Sequence, residues 1–138
     1  KPLKCVCTVG ADVPVLLGGT GRSAAAFLSD SELSRCIETQ KRIGNPVCGK
    51  EELRAVVKRT RSNGYYISHS ELDDAINALG LPIFGKNGVV LGSLSIVAPS
   101  SRMSDEVTWE LLPEARRSAQ RISERMGYDG NMLNSKGE

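Results

Sequence analysis

Two apolar segments, Ile76 to Phe84 and Val89 to Ala98, flank Gly85-Lys86-Asn87-Gly88, and this arrangement restricts the fold more than any other stretch of the chain. Asn-Gly readily supplies successive left-handed residues, the conformation that reverses a strand without splaying it, so the spacing predicts an antiparallel hairpin. Alternation along the second segment puts residues 89, 91, 93, 95 and 97 on one face and 90, 92, 94 and 96 on the other. Both faces are apolar or small, so helices or a ligand should cover each side, and the hairpin is expected at the centre of its sheet.

Helical patterns surround this hairpin. Ser29-Asp30-Ser31-Glu32 has the spacing of a capping box and predicts a short helix with Leu33, Cys36 and Ile37 facing inward. Gly44, Asn45, Pro46 and Gly49 make 43–49 a loop. From Lys50, Leu53, Val56, Val57 and Thr60 recur at helical spacing, with Glu51 and Glu52 at the positive end, Lys58, Arg59 and Arg61 at the negative end, and Asn63-Gly64 as the stop. From Ser104 to Met126 a stripe of Trp109, Leu112, Ala115, Ala119, Ile122 and Met126 predicts a helix that Pro113 either kinks or starts, with Gly127 ending it.

Tyr65 to Ser68 is β-prone, and Ser70 to Asp74 reads as a polar loop or helical turn. Leu3 to Leu17 is expected to form one or two strands that begin the sheet, broken at Gly10-Ala11-Asp12 and at Pro14. Gly18-Gly19-Thr20-Gly21 is then expected to be a loop in which backbone approaches something closely, ahead of a helix from Arg22 to Leu28. Together these segments describe an α+β domain over residues 1–128 and a polar tail over 129–138, without the regular alternation of a parallel sheet.

A chain of 138 residues is long enough for one core. Aromatic residues at 4% disfavour modules that stack bases or sugars on rings. A net charge of +2, with no basic run beyond Arg116-Arg117 or the Lys58 to Arg61 cluster, gives this chain alone no field for nucleic acid. No apolar run is long enough to cross a bilayer, and Lys1 to Cys7 is too short for a signal-peptide core, so a cytoplasmic location is expected. Cys5, Cys7, Cys36 and Cys48 are then expected as reduced thiols. The chain does not begin with Met and is expected to start inside a longer gene product.

Few residues carry chemistry. Gly19-Thr20-Gly21-Arg22-Ser23 fails as a phosphate loop, because Leu16 stands where the first glycine is needed and Arg22 replaces the lysine. What remains is a tight turn into a helix, or a helix amino end whose amides hold a small carboxylate. His69 is the single histidine; its neighbours Ser68, Ser70, Glu71, Asp73 and Asp74 are close in sequence, which seldom assembles a triad, and an exposed loop position is expected. No second histidine stands at ligand spacing, so no metal and no cofactor are expected. Cys5 and Cys7 fall on opposite faces of any strand, and core filling is the expected use of the cysteines. Trp109 suits packing or a subunit contact.

The order of certain short motifs resembles the effector-binding domain of IclR-type bacterial transcription regulators, from about Val13 to Tyr128. These motifs are Gly21-Arg22, Phe27-Leu28, Gly64-Tyr65, Glu71, Pro82-Ile83-Phe84, Ser93-Leu94-Ser95-Ile96, Pro99, and Ile122-Ser123 to Met126-Gly127. The resemblance implies a GAF-like fold, a curved antiparallel sheet with flanking helices and a small-molecule pocket on one face. It also implies a winged helix-turn-helix domain upstream as the DNA-binding part, and dimers or tetramers.

By the same resemblance the effector pocket takes Gly19 and Thr20 from the glycine segment, Ser68 from the stretch after Gly64, and Ile76, Ala78, Ser95 and Val97 from the hairpin. Two departures bear on its chemistry. The family commonly has Ser-Gly-Pro where this chain has Val97-Ala98-Pro99, and often an acidic residue in place of Ser68. A pocket changed in this way should be more apolar and prefer a larger or less oxygen-rich ligand than glyoxylate or pyruvate, so the expected effector is a small organic acid or an aromatic compound. The alternatives are a thiol enzyme of the same fold, such as a free methionine sulfoxide reductase, and a dimerisation module with a vestigial pocket.

Overall fold

The computed structural model describes residues 7–130. Its elements are α1 (Gly18–Ala25), α2 (Asp30–Arg42), α3 (Lys50–Asn63), β1 (Tyr66–His69), β2 (Ile76–Phe84), β3 (Val90–Pro99) and α4 (Asp105–Arg125). The strands form one antiparallel sheet in the order β1-β2-β3. The architecture is α+β, with α1 on one sheet face, α4 on the other, and α2 and α3 beside α1.

Local chemistry explains most boundaries. At α2 the Ser29 hydroxyl accepts from the Glu32 amide at 3.2 Å while the Glu32 carboxylate accepts from the Ser29 amide at 3.0 Å, so the capping box is complete. Gly64 ends α3 in the left-handed conformation (φ 79°), and its amide donates to the Thr60 carbonyl at 2.7 Å. Ser104 caps α4 through the Val107 amide.

The hairpin forms with a wider connection than a two-residue turn. Gly85 donates to the Val89 carbonyl at 2.8 Å, and Asn87 and Gly88 both take positive φ (64° and 73°) between them. The register runs Ala78↔Val97, Gly80↔Ser95 and Pro82↔Ser93, then shifts after Ile83↔Gly92 so that Phe84 faces Val90. This bulge breaks the expected alternation: residues 93, 95 and 97 share a face, but 89 and 91 do not continue it.

Two apolar clusters hold the layers. Leu79, Leu81 and Ile83 project from β2 onto Leu112, Ala115 and Ala119 of α4, with Met103 filling the approach to that helix. Each such leucine contributes about 2 kcal/mol by burial. Asn77, buried on the same face, donates to the Met103 carbonyl at 2.9 Å. The second cluster joins Leu16, Ala25 and Leu53, with Leu33, Cys36, Ile37, Cys48 and Val57 packed around it.

Five expectations are corrected. No strand forms within 7–17: Thr8 to Ala11 is a turn, and the Pro14 and Val15 carbonyls lie against Gly21 of α1 instead of joining a ladder. Residues 3–6, Cys5 and the tail from residue 131 lie outside the described residues. The glycine segment is not a loop but the first turn of α1. Of the hairpin only β2 is central; β3 is an edge among the described residues. In α4 the inward stripe is Thr108, Leu112, Ala115, Ala119 and Ser123, so the expected stripe is offset, and Trp109, Ile122 and Met126 are exposed. The offset arises because two short polar residues are recruited inward: Thr108 donates to the Ser104 carbonyl at 2.8 Å, and Ser123 accepts from the Phe84 amide at 3.0 Å. Pro113 interrupts nothing; it lies on the exposed side of a continuous helix, where the carbonyl it leaves without a donor can meet solvent.

Candidate functional site

The face of the sheet under α1 is built from small residues. Ala78 stands between Ser68 on β1 and Val97 on β3, a row across all three strands, and the next row is Tyr66, Gly80 and Ser95. Large side chains here would hold α1 away. Instead the α1 backbone descends onto the sheet: a Cβ on Gly80 would overlap the Gly19 carbonyl oxygen, and one on Gly19 would lie 3.1 Å from the Ala78 Cβ. The glycines of α1 therefore serve close approach, as expected, but what they approach is β2 and the Pro14–Val15 backbone.

Hydroxyls fasten this contact. Thr20 donates to the Ser95 hydroxyl at 2.8 Å, and the Thr20 carbonyl accepts from Ser93 at 2.8 Å and from Ser23 at 3.2 Å. The amino end of α1 has Leu17 at its cap position, no side-chain cap and no acidic residue in its first turn. Its leading amides carry the partial positive charge of a helix start, and no side chain among the described residues accepts a hydrogen bond from them. Around that end lie Ser68 and Ala78, both buried, Ile76 and Ser95, half-buried, and Thr20 and Val97, exposed. The structure thus brings together Gly19, Thr20, Ser68, Ala78, Ser95 and Val97 on one sheet face, with Ile76 at the strand start on the same side.

Beside this face is a feature that sequence reasoning missed. Arg22, the only charged residue of α1, is 5% exposed. Its Nε donates to the Leu16 carbonyl at 3.0 Å; its Nη1 donates to the Tyr66 hydroxyl at 2.7 Å and to the Glu71 carboxylate at 2.7 Å. Its Nη2 reaches Glu52 of α3 at 3.4 Å, and Tyr66 donates in turn to Glu71 at 3.0 Å. Burial by itself would lower the proton affinity of the guanidinium, but the Tyr66 hydroxyl and the Glu71 charge outweigh it, and Arg22 is held above its ordinary value. Burial likewise pushes the Tyr66 phenol up, against the opposing effect of Arg22. The signal available in the sequence was a lone arginine on a helix otherwise made of small residues.

The remaining candidates are apart from this site. His69 ends β1 and pairs with Asp105 at 2.7 Å, both exposed. Cys36 and Cys48 are partly buried in the cluster beside α1, Cys7 is exposed, and burial raises the Cys36 thiol above its ordinary value. Trp109 packs edge-on to Tyr65, with Arg116 over the other ring's face. A separate shallow groove of about 240 Å³ runs between Phe27, Pro82, Phe84, Ala119 and Tyr128. Among the described residues no group of three or more His, Cys, Asp or Glu is arranged to hold a metal, and no helix is long and apolar enough to cross a membrane.

Residues 1–124 match the family described as the C-terminal domain of the bacterial transcriptional regulator IclR. The HTH-type transcriptional regulator KipR of Bacillus subtilis is 28% identical over 131 residues, covering 93% of this chain and 52% of that protein. KdgR of Escherichia coli is 26% identical over 129 residues, covering 91% and 49%. The crystal structure of Pseudomonas aeruginosa HmgR superposes with a TM-score of 0.79 at 28% identity, covering 95% of this chain and 52% of that one. The C-terminal domain of E. coli KdgR superposes with a TM-score of 0.71 at 26% identity, covering 83% and 72%. The fold is that of these domains, α+β and GAF-like, and the chain spans about half the length of the curated relatives it matches.

Proposed function

The chain belongs to the IclR family of bacterial transcription regulators, whose C-terminal domain it matches, and on that premise we propose that it is a sensor of a small organic acid. The observation that carries the reading is the convergence of an uncapped α1 amino end with the Ser95 and Thr20 hydroxyls over a floor of small residues. A carboxylate is met there by backbone amides and the helix start, and needs no basic side chain. Thr20 and Ser95 are bonded to each other in the free domain, so an effector oxygen entering between them exchanges one hydrogen bond for others at small net cost. Ile76, Ala78 and Val97 supply the apolar contacts, which favour an acid with an aromatic or longer aliphatic tail over a two- or three-carbon keto acid.

In this proposal the protein is a cytoplasmic homodimer or homotetramer that binds DNA through a winged helix-turn-helix domain outside this chain. The effector acts by linkage: it shifts the balance of DNA-competent forms by no more than its differential affinity for them. No catalytic step is part of the reading; the domain binds and releases its ligand unchanged.

Calorimetric titration with a graded series of monocarboxylic acids, from glyoxylate and pyruvate through 2-oxohexanoate to phenylpyruvate, tests it. Binding that strengthens with the apolar tail is the expected result. Tight binding of pyruvate with none of the longer acids overturns the apolar preference, and binding of no acid at all overturns the sensor reading.

A further inference from the structure

The segment between β1 and β2 is short, exposed and held at three points. Its two ends, Ser70 and Ala75, both adopt positive φ (51° and 61°), a conformation that L side chains enter only when their surroundings hold them there. The ends are also tied to each other, the Ala75 amide donating to the Ser70 hydroxyl at 3.2 Å and the Ser70 amide to the Ile76 carbonyl at 2.9 Å. Between these hinge points, Glu71 is bound to buried Arg22 and to Tyr66, and Leu72 crosses the amino end of α1. The Leu72 Cβ lies 3.5 Å from where a Cβ on Gly18 would stand, and the side chain is 45% exposed although it is large and apolar.

Tyr66 and the Leu16 carbonyl bind the guanidinium as neutral groups, and Glu52 is exposed and reaches it only at 3.4 Å, so Glu71 at 2.7 Å is the close anion for this buried cation, and it comes from the segment after β1. Glu71 adds a tether for the segment that covers the amino end of α1. We propose that residues 71–74 form a lid over the effector site, that Arg22 is the positioning residue holding it down through Glu71, and that Leu72 selects for acids with an apolar tail. The proposal deepens the sensor reading and rests on it for the ligand, while the tether itself is independent of any ligand. The selected ligand is an amphiphilic monocarboxylic acid, its charged end at the α1 amides and its apolar end against Leu72, Ile76 and Val97.

The tether is tested on the full chain without ligand. Ser68→Cys places a thiol of nearly the same shape at a site residue that is 4% exposed, and its alkylation by iodoacetamide is followed by mass mapping. Adding Glu71→Ala is expected to accelerate labelling at position 68 at least about tenfold, as when a local opening loses the hydrogen bonds that the carboxylate accepts from Arg22 and Tyr66. Cys36 and Cys48, in the other cluster, serve as the control and should label at their original rates. Equal acceleration at all three thiols means general loosening and overturns the lid, as does no acceleration at position 68. Selection is tested by titrating Leu72→Ala with pyruvate and phenylpyruvate. A fall of about tenfold in the preference for phenylpyruvate is expected, in line with removal of several methyl-sized contacts from a pocket wall. An unchanged ratio overturns the role of Leu72, and failure of the unaltered chain to bind either acid overturns the sensor reading and with it the selection, while the thiol result still decides the tether.

Discussion

Gly80 of β2 and Gly19 of α1 meet backbone to backbone, with no room for a side chain between the strand and the helix that crosses it. Gly80 does not take positive φ, so the requirement is purely steric. Gly80→Ala should therefore lower stability by at least about 2 kcal/mol, because the obstacle is helix backbone and cannot swing away. Urea denaturation measures this, and a midpoint equal to that of the unaltered chain would show that α1 does not sit on the sheet.

Arg22 is a buried cation whose partners come from α3, β1 and the segment after it. Arg22→Ala leaves the Glu71 carboxylate without its close cation, with the Tyr66 hydroxyl still donating to it, and should cost about 3 kcal/mol. Arg22→Lys keeps the charge but not the fork that serves the Leu16 carbonyl and Tyr66 together, and should recover only part of that loss in the same denaturation experiment.

Thr60 is fully buried in α3, and its hydroxyl has no hydrogen-bond partner among the described residues. Thr60→Val replaces that hydroxyl by a methyl of similar size and should raise stability by about 1 kcal/mol, seen as a higher thermal midpoint. A destabilised variant would mean that the hydroxyl is satisfied in solution.

Burial raises the Cys36 thiol, so at a given pH the folded protein holds less of the reactive thiolate there than an open chain does. Cys36 should alkylate far more slowly than exposed Cys7 at pH 8, and the gap should close in denaturant. The same shift makes folding bind protons more tightly at this site. Its small contribution to stability is present below the ordinary thiol range and is lost as pH rises through the elevated folded value. Rapid native-state alkylation of Cys36 would revive a thiol-dependent chemistry.

Ser95 stands opposite Gly80 and bonds Thr20. Ser95→Trp removes the hydroxyl that bonds Thr20 and puts an indole where α1 meets the sheet, and is expected to abolish binding of phenylpyruvate in calorimetry while leaving a cooperative thermal transition at a lower midpoint. Normal binding by this variant would move the effector elsewhere on the domain.

Wherever a local interaction decides the structure, the sequence was sufficient. The capping box at Ser29 and Glu32, the glycine stop at Gly64 and the Asn87-Gly88 reversal depend on residues within four positions of one another, and each occurs where the spacing predicts it. That Ser95 and Val97 share a face follows from alternation within β3, whereas Ala78 joins them through the register that pairs it with Val97. The offset of the α4 stripe was not legible, because Ser123 faces inward to accept from the distant Phe84 amide and Thr108 hides its hydroxyl on the Ser104 carbonyl, so two polar residues occupy the inner face where a periodicity of apolar residues does not count them.

The glycine segment marks the division. From residues 18 to 21 alone, a loop is the natural reading, since glycine is a poor helix former. What makes it a helix is the contact with Ala78, Gly80, Ser93 and Ser95, nearly sixty residues or more away, whose close approach only glycine permits and whose burial offsets its conformational cost. Arg22 is the same case in electrostatics: its neighbours in sequence give no reason for a buried cation, and its partners Tyr66 and Glu71 come together only once the sheet has formed. The sequence by itself determined the hairpin, the caps and the family; the tertiary structure decided that residues 7–17 form no strand, that the glycines are a helix, that β3 is an edge among the described residues, and that an arginine is buried beside the site, because each of these is settled by contacts between residues far apart in the chain.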